Sequence, residues 1–433
     1  MIKRVLISLL SVVFSPLALS EQATTPAPTQ PEVNTETRLP LAEIRRFSEA
    51  FEQIRRHYVE DVSDATLLDY AIRGMLEGLD PHSIYLEPDS LDEFKEMATG
   101  EFGGLGIEIG MKDGYVHVIT PIDDTPAYKA GIEAGDYIVK LEGISVRGMS
   151  LDEAIEHMRG EVGTDITVTI AREGQQKPFD VVITRDTISL RSVRSEVHLE
   201  HFGYLRIAQF QANTGEQSRK ELAKLLANNT LKGIVLDLRN NPGGVMRTAV
   251  EVVDNFIGDG LVVSTKGRHK DSNTEFHAGE QPVLTELPLV VLINQGSASA
   301  AEIVAGALQD HGRAVIVGTP SFGKGSVQVV IPVAEDRAIK LTQSRYFTPN
   351  GSSIQAKGIE PDVLVPRAKV KPIKPSFSVK EAQLEGHLEN QNESGKDKLG
   401  ISPLFTKDNQ LYQALALLKG MSISQSKTNK SGE

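Results

Sequence analysis

Apolar positions along the chain repeat first at helical and then at strand spacing. Leu41, Ile44, Phe47, Phe51, Ile54 and Tyr58 recur every three to four residues, which predicts an amphipathic helix. Leu67, Leu68, Ile72, Met75 and Leu76 predict a second one after Ser63. Two short helices cannot bury both their faces alone, so they pack on the next domain or on a second copy of themselves. From residue 98 the period shortens. Val116 and Val118 alternate with Tyr115, His117 and Ile119, and Ile166, Val168 and Ile170 alternate with Thr167 and Thr169. That is the pattern of half-buried strands. Pro126–Gly131 predicts a short helix with a glycine stop, and Leu151–Arg159 a second, so 98–185 reads as a small β-rich domain.

From about 186 to 366 strands alternate with helices. Ile234–Leu238, Leu261–Val263 and Val315–Val317 read as strands, and Leu287–Ile293 is a further short apolar run. Val245–Phe256 and Ala300–Gln309 read as helices, the latter stopped by Gly312. This alternation predicts a parallel or mixed sheet covered by helices. Beyond Pro366 the chain turns basic and proline-rich. Residues 385–400 are polar and read as mobile. Leu411, Leu415 and Leu418 restore helical spacing, in a helix that docks on the body or joins two subunits.

Composition adds limits. A length of 433 residues predicts two or three domains. The net charge of −12 lacks the basic footprint of a general nucleic-acid binder. No cysteine is present, so neither a disulfide nor a lipid-anchored N-terminus is available. Lys3 and Arg4, the apolar run Val5–Phe14 and the small-x-small Ala18-Leu19-Ser20 predict a secretory signal over 1–20. The run is shorter than the roughly 20 residues a spanning helix needs. Residues 21–38, with Thr-Thr-Pro-Ala-Pro-Thr-Gln-Pro, read as an extended linker.

The chemistry concentrates in Gly296-Ser-Ala-Ser-Ala-Ala-Glu302 and Gly323-Lys-Gly-Ser-Val-Gln328. Ser299 falls where a buried strand turns into a helix. Helix N-termini present unpaired amides to anions, and ligands gather beyond the carboxyl ends of strands. The amide of Ala300 can meet an oxyanion there, and Asn240-Asn-Pro-Gly243-Gly244 can supply the second donor. The bland alternative is a capping box, with Ser299 the cap and Glu302 reaching back; Ser297 competes for the cap. A serine hydroxyl needs a base. His269, His277 and His311 stand in no motif and read as surface residues. Lys324 is the better base, provided burial lowers its pKa from about 10.4 to near 7, a change of roughly 4 kcal/mol. Otherwise it is a solvated loop lysine; a phosphate loop fails on pattern. Gln328 falls on the same side of a strand as Lys324 by alternation and can hold the amine without adding charge. In the β-rich domain, Gly104-Leu105-Gly106-Ile107 can aim backbone amides at a terminal carboxylate, the peptide adding as a strand, or is simply a tight turn.

Several motifs stand in one order: Leu79-Asp-Pro-His-Ser-Ile-Tyr85, Gly104-Leu-Gly-Ile107, Leu236-Asp-Leu-Arg-Asn-Asn-Pro-Gly-Gly244, Ser297-Ala-Ser-Ala-Ala-Glu302, Phe322-Gly-Lys-Gly-Ser-Val-Gln328, Tyr346-Phe-Thr-Pro-Asn-Gly351 and Lys357-Gly-Ile-Glu-Pro-Asp362. Together they resemble the carboxyl-terminal processing peptidases, exported serine peptidases with a PDZ domain ahead of the catalytic core. The resemblance runs from about Leu41 to Pro366. It implies an α/β multidomain chain: N-terminal helices over 39–97, a PDZ-like domain over 98–185, a mixed-sheet protease core over 186–366, and a linker and helical tail over 367–433. It implies Ser299 as nucleophile, Lys324 as general base, Gln328 as its orienting partner and no metal or organic cofactor. It further implies a PDZ-like domain that binds unstructured C-terminal tails, with Arg159 coupling that domain to the core; from the residues alone Arg159 is a solvated arginine. Homo-oligomers through terminal helices, a possible adaptor protein, and a place in the periplasm or cell envelope follow from the same resemblance. Two other readings stand beside it. A trypsin-like peptidase would need a Gly-x-Ser-Gly-Gly turn and a His–Asp pair, which are not visible. A non-catalytic peptide-binding scaffold would not need Ser299, Lys324 and Gln328 together.

Overall fold

The computed structural model describes residues 40–371 apart from 123, 200, 229, 280 and 281, together with 384–386, 388 and 403–431. The predicted signal, the linker and most of 385–400 lie outside them. The chain divides into two compact units, 1–71 and 72–433. Helix α1 (Leu41–His57) buries no side chain and keeps Ile44, Phe47 and Ile54 exposed. Helix α2 (Asp64–Glu77) starts at Ser63, whose Oγ accepts the Thr66 N–H at 3.1 Å. Both helices fall where the apolar spacing put them.

The second unit continues with β1 (Ile84–Leu86) and α3 (Pro88–Thr99), then β2 (Glu101–Gly104), β3 (Ile107–Lys112), β4 (Tyr115–Pro121) and α4 (Pro126–Lys129). β5 (Tyr137–Leu141), β6 (Ile144–Ser145), α5 (Leu151–Met158), β7 (Asp165–Ala171) and β8 (Phe179–Thr184) complete the small domain. Its sheet runs β3-β4-β5-β7-β8, with β3 at an edge and β6 appended to β5. Val116, Val118, Ile166, Val168 and Ile170 fill its core, as their alternation predicts. Ser150 and Glu153 form a reciprocal capping box that starts α5. β9 (Asp186–Ser189) pairs back with β2, so the domain joins the core through a two-stranded ribbon.

The core follows as β10 (Val193–His198), β11 (Phe202–Ile207), α6 (Thr214–Asn228), β12 (Gly233–Asp237), α7 (Met246–Asp254), β13 (Leu261–Gly267), β14 (Thr274–His277), β15 (Leu289–Ile293), α8 (Ala300–Asp310), β16 (Val315–Gly318), β17 (Ser326–Pro332), β18 (Ala338–Phe347) and β19 (Val363–Leu364). One sheet runs β10-β11-β12-β15-β16-β19 and is parallel except for the β10–β11 pair. Every residue of β12 and of β15 is buried, which is why both read as continuous apolar runs.

A second, antiparallel sheet has β18 pairing with β1, β13 and β17, and β14 pairing with β13. Two expectations change here. Leu261–Val263 belongs to this sheet, not to the parallel one. The region 39–97 is not wholly helical, because β1 pairs Ile84 with Lys340 of β18. α9 (Pro403–Lys407) and α10 (Asn409–Ser431) close the chain. Leu411, Ala414, Leu415 and Leu418 of α10 pack on Val235, Val290, Leu292 and Val317. Of the two roles open to this helix, the structure selects docking on its own sheet. Asp408 fastens the head of α10: its two carboxylate oxygens accept from Arg239 at 2.9 and 2.8 Å.

Candidate active site

The parallel strands β12 and β15 end side by side, and their following turns meet. After β12, Asp237 Oδ1 accepts the Arg239 N–H, and Asn240 adopts φ +53°. Asn241 is fully buried and its Oδ1 accepts the Gly243 N–H at 2.9 Å. At Gly243 a Cβ would fall 2.8 Å from Ser299 Cβ and 3.1 Å from the Ala300 nitrogen. Only glycine lets this turn lie flat against the start of α8.

After β15, Ser297 does not cap the helix. Its Oγ donates to the Leu238 carbonyl at 2.8 Å and accepts the Asn294 N–H at 3.0 Å, which stitches the two turns together. Ser299 takes the N-cap place with φ +55° and ψ −112°, a strained conformation for a residue with a Cβ. Glu302 reaches back to its N–H at 2.7 Å. The capping and nucleophile readings of Ser299 are therefore compatible, because this bond uses the Ser299 main chain.

Glu302 is fully buried and does more than cap. Its Oε1 accepts from Ser321 Oγ at 2.6 Å and from the Gly323 N–H at 2.7 Å, and its Oε2 accepts the Lys324 N–H at 2.9 Å. Ser321 Oγ in turn accepts the Ile359 N–H at 2.6 Å. One carboxylate thus fixes the loop that carries Lys324 to the turn that carries Ser299. The sequence pattern showed Glu302 only as half of a capping box; its partners come from a loop that spacing does not reveal.

Ser299, Lys324, Gln328, Gly243 and Gly244 line one cavity of about 600 Å³. Burial first, and the nearby charge of Lys340 second, hold the Lys324 ammonium below the usual lysine range, while Asp80 acts in the opposite direction. Gln328 donates from Nε2 to Ser326 Oγ at 2.9 Å and to Thr342 Oγ1 at 3.2 Å, which commits its amide nitrogen and leaves its carbonyl oxygen as the remaining polar group. Strand alternation does not bring it to Lys324, as the sequence suggested. β17 begins only at Ser326, and the β17–β18 register shifts between Val327 and Gln328. The loop and the register shift deliver both residues to the cavity. The oxyanion reading also narrows: the N–H of Gly243 is committed to Asn241, leaving those of Gly244 and Ala300.

Residues outside the expected set surround the site. Asp80 Oδ1 accepts from the His82 N–H at 2.8 Å and from Thr342 Oγ1 at 3.1 Å, and Oδ2 accepts from Ser83 Oγ at 2.7 Å. His82 lies close enough to Lys324 that burial first and the lysine charge second hold its pKa below the usual histidine value. Tyr346 and Lys340 of β18 line the same cavity. The motif Leu79–Tyr85 was the available signal for Asp80 and His82, although it gives no hint of distance.

In the small domain, Gly104, Leu105, Gly106 and Ile107 line a groove of about 430 Å³ between β3 and α5, together with Ile155, Met158 and Arg159. The Leu105 and Gly106 carbonyls are held by the Ala127 and Ile122 N–H groups at 2.9 Å each. The free edge of β3 borders this groove. Arg159 ends α5 and is no solvated arginine. Its Nη1 donates to Glu96 of α3 at 2.8 Å, and its guanidinium lies 5.1 Å from the Phe102 ring centroid. The opposite flank of α3 supplies Phe94, Met97 and Ala98 to the cavity that holds Ser299.

Sequence comparisons agree with this layout. The model of peptidase family S41 matches residues 201–365, that of a PDZ domain 103–183, and that of the activating protease CtpB N-terminal domain 13–90. The carboxy-terminal-processing protease of Bartonella bacilliformis is 45% identical over 385 residues, 87% of this chain and 88% of that protein. The carboxy-terminal processing protease CtpA of Bacillus subtilis is 36% identical over 319 residues, covering 73% of this chain and 68% of its own. Among solved structures, a photosystem II D1 C-terminal processing protease is 30% identical with a TM-score of 0.44, over 75% of this chain and 93% of that one.

Proposed function

The chain belongs to the carboxy-terminal processing proteases of peptidase family S41, with a PDZ domain, and on that premise we propose that it cleaves polypeptide tails with Ser299 and Lys324 as a catalytic dyad. The observation that carries the reading is the shared cavity, in which Ser299 caps α8 beside a lysine whose burial favours the neutral amine. Neutral Lys324 takes the proton of Ser299 Oγ as that oxygen attacks the peptide carbonyl. The tetrahedral oxyanion meets the N–H groups of Ala300 and Gly244. Lys324 then gives its proton to the leaving amine, and water hydrolyses the acyl-enzyme. Gln328 positions the amine through its carbonyl oxygen. Residues 104–107 hold the terminal carboxylate of an unstructured tail, and the Arg159–Glu96 contact passes occupancy of that groove to α3.

The reading extends to location and assembly. The Lys3–Ser20 segment supports export and a place in the periplasm or envelope, and sequencing of the mature protein should then begin at Glu21. The exposed apolar face of α1 supports assembly through the N-terminal helices, α10 being spent on its own sheet.

The test compares wild type with Ser299→Ala on an unfolded protein bearing an apolar C-terminus, with products mapped by mass spectrometry. Cleavage by wild type alone is expected. Equal cleavage by both would remove Ser299 as nucleophile, and inactivity of both would point to dependence on an adaptor.

A further inference from the structure

Lys340 has no role in the scheme above, yet it lines the same cavity as Ser299 and Lys324. It sits in the middle of the antiparallel sheet, opposite Ile84 on one side and Val330 on the other. Burial disfavours its ammonium form. Among the described residues no carboxylate comes within ion-pair distance of its Nζ; its charge rests over the Phe94 ring, 5.3 Å from the centroid. The nearest candidates are otherwise engaged or apart. Both oxygens of Asp80 are taken by His82, Ser83 and Thr342, and Asp271, also in the lining, forms no ion pair with either lysine. A half-buried ammonium without a counter-charge, aimed into a cleft, gains most from an anion that arrives with the ligand.

Gln328 pairs with Thr342, and Lys340 lies two residues further along β18, about 7 Å from that pair at roughly 3.4 Å per residue. We propose that Lys340 is a substrate subsite in the Ser299 cavity that binds a carboxylate of the polypeptide. The carboxylate belongs to the chain terminus or to an acidic side chain. The subsite rests on the cleavage reading above, and it is separate from the carboxylate loop of the PDZ groove.

The test uses the full chain and two peptide pairs: one sequence ending in a free carboxylate or a carboxamide, and one amidated sequence carrying Asp or Asn at each position flanking the cleaved bond. Wild type, Lys340→Met and Lys340→Arg are compared by KM, with Ser299→Ala run in parallel. Any contribution of the PDZ groove is common to all three chains and cancels in the comparison. Wild type should show a KM about tenfold lower for the carboxylate member of one pair, the size of one charge-assisted hydrogen bond. Lys340→Met should shrink that ratio about tenfold relative to wild type, to about one in the amidated pair and to the PDZ groove's own share in the terminal pair, and Lys340→Arg should retain most of it. The pair that responds identifies the source, terminus or side chain. Wild type indifferent to both pairs, or a Met variant that keeps the wild-type ratio, would overturn the subsite. Cleavage by Ser299→Ala would instead overturn the nucleophile, whatever Lys340 does. Should the Met variant not fold, Lys340→Gln carries the same comparison.

Discussion

The main-chain N–H groups of Ser299 and Lys324 converge on one oxygen, Glu302 Oε2, at 2.7 and 2.9 Å. The spacing of the two residues proposed as nucleophile and base is therefore set by a side chain bound to their main chains. Glu302→Gln replaces one acceptor oxygen by a donor that faces two other donors. Each buried group left without a partner costs about 1–3 kcal/mol. Urea unfolding should report a loss of that order. Steady-state kinetics should show kcat down by about 100-fold with KM changed far less, since a small misplacement of reacting groups costs that much. Unaltered kcat would sink the idea that Glu302 sets the dyad.

The pH dependence has a defined direction. In the proposed role of base Lys324 must be neutral, and burial and the Lys340 charge lower its pKa. The rate constant kcat/KM should fall as pH drops through that lowered pKa. Removing the second charge in Lys340→Met returns Lys324 toward the ordinary lysine value, so the acid limb should move to higher pH. Lys340→Arg should leave the limb in place. Asp80 pulls the other way and His82 adds its own charge when protonated, so both are kept in the comparison. A pH–rate profile of the Met variant that overlays wild type would exclude Lys340 from the field at Lys324.

Arg159 and Glu96 meet at 2.8 Å with side chains 39% and 33% exposed. An ion pair so open to water contributes about 0–1 kcal/mol to stability. Arg159→Ala and Glu96→Ala should therefore unfold within about 1 kcal/mol of wild type. Their activity on a tailed substrate should nevertheless change, and the double variant should show non-additive kinetics. Additive effects on kcat/KM would leave the pair as surface decoration.

Much of the fold is legible where the apolar pattern is simple. β12 and β15 lie inside on both faces, α8 is buried all round, and α1, α2 and α5 carry regular apolar stripes. β1 and α3 were missed: three residues paired at the edge of a distant sheet leave no periodic trace, and α3 buries only Leu91 among its own side chains. The spacing marks β13 as a strand but does not reveal that the core holds two sheets, because strand spacing says nothing about partner. At the site, the motifs single out Ser299, Lys324 and Gln328, three residues that line one cavity. The commitment of the Gly243 amide to Asn241 was not legible, nor was the approach of Asp80 and His82 to Lys324. These depend on turns from opposite ends of the second unit meeting in space.

The left-handed backbone at Ser299 has a consequence for the stability of inactive variants. Alanine inherits the strain at φ +55°, whereas glycine does not. Ser299→Gly should thus resist urea by about 1 kcal/mol more than Ser299→Ala, although both lack the hydroxyl. An equal midpoint would show that the bend carries no tension. If the difference is found, the protein is a loaded spring: it holds the Ser299 hydroxyl forward at the expense of its own endurance, and the sturdier molecule is the one without the proposed nucleophile.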